Sequence, residues 1–573
     1  MRSRSRFATA LMATAMMLLP AAALGTSGES TGRDWTVLMY FGADNDLYQA
    51  TEFCVDQTLK ALAEAEADGA AVAFVLLIDG PNNGDTDVFE LTEDGMTEKT
   101  SAAFGTGNVE KRMTDPQTMV DFLGWAIPAY PADKTMLVLK NGHAWCGICP
   151  DDTVNEDEED VENLLMPIDG LRGALETVYT ENRDAWIDAL VFDGDNMGSI
   201  EVAYELRKVT SYFVGSQQQV PLEGLPYYLF VKDLVADPAM PVDEACIVLT
   251  QDYVKYYNNT GGSKPKYDKL LANSQMYVTA AVFQMGEGGE KVEAVVDAFD
   301  AYLDYIMTGA LSEDIIDEAE AEDVEIEAKL DQWMYPDLTT GVDVWSWIPL
   351  NRNNISSARD CALIGKINDQ QGYEWLPDTY TWLWSMSALS NYEAYGDAVP
   401  PSEDVDLTDL PELYELKDPF VRLLLEDFMD KFGYVEPGIY RGVWQAKYLT
   451  GDGALLWVSQ SQILDRSGNS FPHGLNIWFP PTWLQWDEDD VWTLLFTKEM
   501  TYAYYGIGVF LGDEDLTVMM PAEYYCIDCP DMYQDIGLDF TSDTSWMGFF
   551  EIYYDSRWLI YGGDTGSRDD NKP

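Results

Sequence analysis

The chain has 573 residues, enough for more than one hydrophobic core, and 34 Lys and Arg stand against 100 Asp and Glu for a formal net charge of −66. That imbalance argues against nucleic acid and against an anionic membrane surface as partners, since both would be repelled. A hydrophobic content of 47% with 18 Trp and 33 Tyr excludes a disordered chain, because aromatic side chains in that number are there to be packed.

In chain order, residues 1–25 read as a secretory signal. Arg2, Arg4 and Arg6 form a basic leader, Phe7 to Leu19 an apolar segment, and Ala21-x-Ala23 a small-residue cleavage site. No Cys follows that run to carry a lipid anchor, and no later segment is apolar for long enough to cross a bilayer. The expected location is secreted or extracytoplasmic.

Trp35 to Phe41 (WTVLMYF) is a buried-type strand, and Asp44 or Asn45 after it can cap a helix carrying Phe53, Val55, Leu59 and Leu62. Further strands are expected at Val72 to Ile78, Met136 to Leu139, Ile187 to Phe192 and Tyr212 to Gly215. Helices are expected near Pro116 to Ala126 and Ile168 to Thr180. Near-continuous apolar strands separated by amphipathic segments predict an α/β fold, with a mostly parallel sheet flanked by helices over residues 30–240. Glu156 to Asn163 (EDEEDVEN) reads as an acidic surface loop. Pro221, Gly224 and Pro226 stiffen the segment SQQQVPLEGLPY, making it a suitable pocket wall with Ser216 and Gln217 as substrate contacts.

Beyond this the pattern changes. Residues 241–435 are expected to be mainly helical with acidic segments such as Glu313 to Glu327. One helix carries Val292, Val295, Phe299, Tyr302 and Ile306, and a second begins near Pro419 with Phe420, Leu424, Phe428 and Phe432 on one side. Residues 436–561 read as a β-rich region packed on the core as an antiparallel sheet or hairpins, through ALLWVS, LNIWFP, TYAYYGIGVFL, LTVMM and WMGFFEIYY. Residues 562–573 form a polar, flexible tail.

Chemistry points to the carboxyl ends of two strands. The chain has only two histidines. His143 follows a buried strand in LKNGHAWCG, whereas His473 in FPHGLNIWFP reads as structural. Ile187 to Phe192 ends at Asp193, turns tightly at Asp195, and opens a helix with Val202 and Leu206. Polar groups at the carboxyl ends of neighbouring strands are the usual site geometry of an open α/β sheet. Four of the seven cysteines fall in two C-x-x-C pairs, Cys146 with Cys149 and Cys526 with Cys529. Local or exchanged disulfides, or one tetrahedral zinc set if the pairs meet, are open readings. The segment Asp193 to Gly198 imitates a calcium loop, but Met197 supplies no oxygen at its fifth position and Tyr204 stands at its twelfth where Glu is needed. The stretch DGPNNGDTD, Asp79 to Asp87, is oxygen-rich without matching a defined loop.

These segments resemble the clostripain family of cysteine peptidases, relatives of the caspase-like fold. WTVLMYFGADNDL is similar to the family's opening WTVMVYMNADNNL, and LKNGHAWCG to its histidine segment LWDHGGGW. FDGDNMGSIEVAYEL answers to FDACLMGxxEVAYEL, SQQQVPLEGLPY to SQExxPGxGWPY, and GLNIWFP to GLSIYFP. The resemblance implies that His143 and position 195 form the catalytic pair, that Asp193 lines a pocket for a basic side chain, and that calcium assists. Asp193 could equally cap the turn that follows it.

Where the family has its nucleophilic cysteine, however, this sequence has Asp195, a far poorer nucleophile toward an amide. Asp195 is expected to ionise and pair with the imidazole. The histidine motif is altered as well. The expectation is a secreted, non-hydrolysing pseudopeptidase that binds peptides or basic side chains. The alternatives are a calcium-assisted cysteine endopeptidase cleaving after Arg or Lys with Cys146 as a displaced nucleophile, and a structural surface protein.

Overall fold

A computed structural model describes residues 32–45, 47–65, 71–107, 109–143, 147–151, 166–218, 220–257, 278–308, 378–379, 419–433, 435–440, 443–448, 453–460 and 474–476. The leader, both acidic runs, the strands expected after position 500 and the tail lie outside these residues.

The centre of the molecule is a single mixed sheet. Its parallel heart is built from β1 (Trp35–Gly42), β2 (Val72–Asp79), β5 (Lys134–His143), β7 (Ile187–Asp195) and β8 (Thr210–Gly215), in the spatial order β8-β7-β5-β1-β2. Antiparallel strands extend it on both sides. β3 (Asp87–Thr92) and β4 (Gly95–Glu98) continue from β2. On the far side β9 (Thr279–Gln284) pairs with β8, and β12 (Leu455–Gln460), β11 (Val443–Tyr448) and β10 (Val435–Tyr440) follow in that order. The short β6 (Gly147–Ile148) folds back on β5.

The apolar runs are continuous because both faces of the sheet are covered. With a side-chain period of two, Trp35, Val37, Met39 and Phe41 join one core with Cys54, Val55 and Leu62 of a helix at Tyr48–Glu64 and with helices at Tyr227–Ala236 and Val242–Tyr257. The alternate residues face the other layer. The Thr36 hydroxyl donates to the Tyr130 carbonyl at 2.5 Å, and Tyr40 stacks obliquely on Phe122 of a helix at Pro116–Ala129. That helix starts cleanly, since Asp115 accepts the Gln117 N–H at 2.9 Å and Pro116 occupies its first turn. A helix at Ile168–Glu181 completes the layer.

The expected α/β class and caspase-like architecture are therefore what the chain adopts, and every strand of the parallel heart was foreshadowed. Three details differ. The helix after β1 has Leu47 at its N-cap with no side-chain cap, and Asn45 instead accepts the Leu47 N–H at 3.0 Å in a local turn. The helices at 227–236 and 242–257 and strand β9 were unannounced. Finally, β10 to β12 lengthen the central sheet rather than forming a second one upon it. Helices at Glu290–Thr308 and Pro419–Phe432 pack together beside that extension, with the Phe299 and Phe428 rings 6.3 Å apart. Among the described residues no helix is long and apolar enough to cross a membrane.

Candidate functional site at the carboxyl edge of the sheet

Strand order reverses between β1 and β5, because the chain moves to β2 on one side of β1 and to β5 on the other. Ligands of open α/β sheets bind beyond the carboxyl ends of strands at such a reversal. The ends of β5 and β7 meet there. Lys140 pairs in register with Asp193, and after an irregularity His143 pairs with Asp195. The backbone thus brings together the two positions expected to form the catalytic pair. Cys146, the proposed substitute, lies outside the described residues, as do His473, Cys526 and Cys529.

Asp193 is buried and fully engaged. Its Oδ2 accepts from the Lys140 ammonium at 2.9 Å and the Tyr227 hydroxyl at 2.6 Å, and its Oδ1 accepts the Leu225 N–H at 3.1 Å. The Lys140 and Asp193 side chains are 3% and 0% exposed, so the pair is screened from water. Burial works to lower the Lys140 pKa, but Asp193, together with the nearby Cys54 thiol, outweighs it and holds the ammonium above its ordinary value. Gly224 closes over this pair at a φ of 69°, and a Cβ there would overlap both Asp193 and Lys140. Lysine inside a strand that otherwise reads LVL gave no sign of this partnership, and neither did Tyr227.

Asp195 is also buried. Its Oδ1 accepts the Val220 N–H at 2.7 Å. Burial pushes its carboxyl up to about 8, against the Val220 hydrogen bond, which favours the ionised form, while the Asp193 charge adds to the rise. Dehydration thus works against the ionised form expected for Asp195. The next residue, Asn196, takes a left-handed conformation with φ of 53°.

The two pocket-wall residues are tied inward. The Ser216 hydroxyl donates to the Gln218 carbonyl at 2.9 Å. Gln217 donates to Asp378 at 2.9 Å and to Asn476 Oδ1 at 3.0 Å, and its Oε1 accepts the Gly474 N–H at 2.6 Å. Residues 474–476 are pinned against the end of β7 by the Asn476 N–H donating to Gly198 and the Ile200 N–H donating to Asn476, both at 2.8 Å.

The described thiols are poorly suited to attack. Cys54 donates to the carbonyls of Ala50 and Glu223, each at 3.1 Å, and burial pushes its pKa up to about 12. Burial raises Cys149 and Cys246 as well. Thiolates, the reactive form, are scarce under such conditions. Cys149 is a free, buried thiol whose Sγ lies 3.5 Å from the Lys140 carbonyl. Its counterpart in the C-x-x-C pair, Cys146, lies outside the described residues. The Cys149 β-carbon packs into the space that a side chain on Gly42 would need. Asp193 and Asp195 are taken up by the partners above and do not form the calcium loop imitated by their sequence. Among the described residues, the one grouping of three ligand-type carboxylates is Asp44, Asp79 and Glu110.

A model of the clostripain family matches residues 39–371, more than half of the chain. A search of curated proteins found no match. Among solved structures, the chain is similar to a secreted C11 cysteine protease from Bacteroides thetaiotaomicron in complex with an irreversible peptide inhibitor. Identity is 20%, over 48% of this chain and 70% of that one, with a TM-score of 0.37. It is also similar to an inactive zymogen C11 protease from Parabacteroides distasonis, at 15% identity over 79% of this chain and 93% of that one, with a TM-score of 0.42.

Proposed function

The chain belongs to the clostripain family, and from that premise we propose that it is an extracytoplasmic peptide-binding member whose position 195 no longer supports the family's thiol chemistry. The observation that carries this reading is Asp195, which stands at the end of β7 in register with His143. A carboxyl group there is a far poorer nucleophile toward an amide than a thiolate, and burial disfavours its ionised form. The leader at residues 1–25 supports export.

Family membership taken alone favours a second reading, that of an active endopeptidase, which requires Cys146 to take the nucleophile's part three residues beyond His143. Selection of Arg or Lys by Asp193 carries a cost in either reading. A ligand's cation would have to displace Lys140 from a buried, fully hydrogen-bonded pair, so the acidic surface as a whole is the better source of attraction for basic peptides.

The mature protein, from residue 26, separates the readings. It is expected to leave Arg- and Lys-P1 fluorogenic peptides uncleaved with or without calcium, while labelled basic peptides still bind in an anisotropy titration. Turnover that is lost on thiol alkylation and in Cys146→Ser would establish the endopeptidase instead. Neither binding nor turnover would leave a structural role.

A further inference from the structure

The residue after Asp195 carries polar atoms that the fold leaves unused. Asn196 is 0% exposed, and both Oδ1 and Nδ2 of its side chain are buried without a hydrogen-bond partner. Its backbone N–H donates to the Gln218 carbonyl at 3.1 Å, which sets the two residues side by side. Gln218 presents a third such atom, since its Oε1 is also buried and unpartnered. Asn196 holds its left-handed φ of 53° as well, a conformation that residues other than glycine rarely adopt. Buried polar atoms left unmade beside an unusual backbone conformation are the combination found where a fold is shaped for a ligand.

The unmade atoms define what would complete them. Asn196 Oδ1 and Gln218 Oε1 are acceptors, and Asn196 Nδ2 is a donor. A primary carboxamide offers the complement, one carbonyl oxygen and two N–H bonds on a single nitrogen. Its oxygen and one N–H lie along the same edge, so it pairs with the Asn196 amide through two parallel hydrogen bonds. The second N–H is then left for Gln218. Exchanging the oxygen and nitrogen of Asn196 keeps the paired bonds. Other groups match less well. An ammonium or guanidinium only donates and an ionised carboxylate only accepts, so each leaves part of Asn196 unmet. A trans peptide group turns its N–H and C=O to opposite sides and meets one atom of the amide at a time.

The surroundings agree with an uncharged ligand. Asp193, the nearby carboxylate on β7, is already engaged by Lys140, Tyr227 and the Leu225 N–H, so it is not on offer to a cation. The motif FDACLMG given above has Leu where this chain has Asn196, so the amide is a feature of this chain. Asn196 has no exposed surface of its own. A ligand reaches it past Gln218 and Val220, both half-buried, by side-chain movements of the kind common on binding.

We propose that Asn196 is the specificity-determining residue at the carboxyl edge of the sheet, and that with Gln218 it takes the side-chain carboxamide of a glutamine in a bound peptide. The inference rests on the peptide-binding reading and gives it a selectivity. The acidic surface draws in basic flanks of the peptide, and Asn196 reads an uncharged residue between them.

The test titrates the mature protein with labelled peptides that share basic flanks and differ at one central residue, Gln, Met or Lys. Anisotropy is expected to show the Gln peptide bound about tenfold or more tighter than the Met peptide, its apolar counterpart of similar length. The Lys peptide, despite its extra charge, should bind less tightly than the Gln peptide. In Asn196→Leu the Gln and Met peptides should bind alike, at the parent's affinity for Met, because attraction to the flanks remains. Gln218→Met lies outside the left-handed turn and keeps the test open if Asn196→Leu folds poorly; it should cut the Gln preference by about threefold or more. Equal binding of Gln and Met peptides by the parent would overturn this proposal and leave peptide binding standing. So would a full Gln preference in Asn196→Leu, or in Gln218→Met where Asn196→Leu does not fold. No binding of any peptide would overturn both readings.

Discussion

At the scale of single residues, position 195 turns a question of catalysis into one of protonation. Burial pushes the Asp195 carboxyl up to about 8, whereas an exposed aspartate titrates near ~3.9. Between those values the folded protein holds a proton that the unfolded chain has released. The resulting stability is fully present below about pH 4 and is lost progressively as pH rises to about 8. Asp195→Asn keeps an oxygen for the Val220 N–H and has no proton to lose. The variant's Tm should match the parent's near pH 4 and exceed it increasingly toward pH 8, by several degrees at the upper end. Parallel Tm profiles across that range would mean that Asp195 is already ionised, with a cationic partner. Lys140 follows the opposite logic, because the neighbouring Asp193 outweighs burial and holds the ammonium above its ordinary value. Removing either partner alone would strand the other.

At the scale of elements, Asp378 and residues 474–476 are tied to the carboxyl edge of the sheet by buried hydrogen bonds around Gln217. Its side chain reaches Asp378, Asn476 and the Gly474 N–H, and its carbonyl accepts from Asn476 Nδ2 at 2.7 Å. Gln217→Ala leaves several buried groups unmade at about 1–3 kcal/mol each. It is expected to lower the urea midpoint by the equivalent of about 2–4 kcal/mol and to speed exchange of the Gly474 amide. An unchanged midpoint would mean that water replaces the side chain at no cost. This arrangement also marks where the sequence stops being readable. Strands β1, β2, β5 and β7 were legible because two-sided burial writes them as unbroken apolar runs. Helices such as Pro116–Ala129 were legible from the spacing of their apolar residues. The carboxyl edge at which β5 and β7 end side by side was legible too, since polar residues close both apolar runs. The partnerships of Lys140, Tyr227 and Gln217 were not, because each joins residues tens to hundreds of positions apart and depends on strand order. Asp44, Asp79 and Glu110 share that difficulty, although acids closing two successive strands were a signal available to be read.

At the scale of the whole molecule, a formal net charge of −66 on 573 residues sets the response to salt. Folding gathers these charges into a smaller volume, so self-repulsion opposes the compact state. Exposed pairs among the described residues are weak: Lys232–Glu64, for example, spans 3.4 Å between side chains 37% and 44% exposed, a class contributing about 0–1 kcal/mol. Screening therefore removes more repulsion than attraction. The screening length falls from about 10 Å at 0.1 M salt to about 3 Å at 1 M, and Tm should climb by several degrees as NaCl goes from 0.05 to 1 M. KCl should act alike, since the effect depends on ionic strength and not on a site. A Tm that falls with NaCl would place surface ion pairs, and not mutual repulsion, in control of stability.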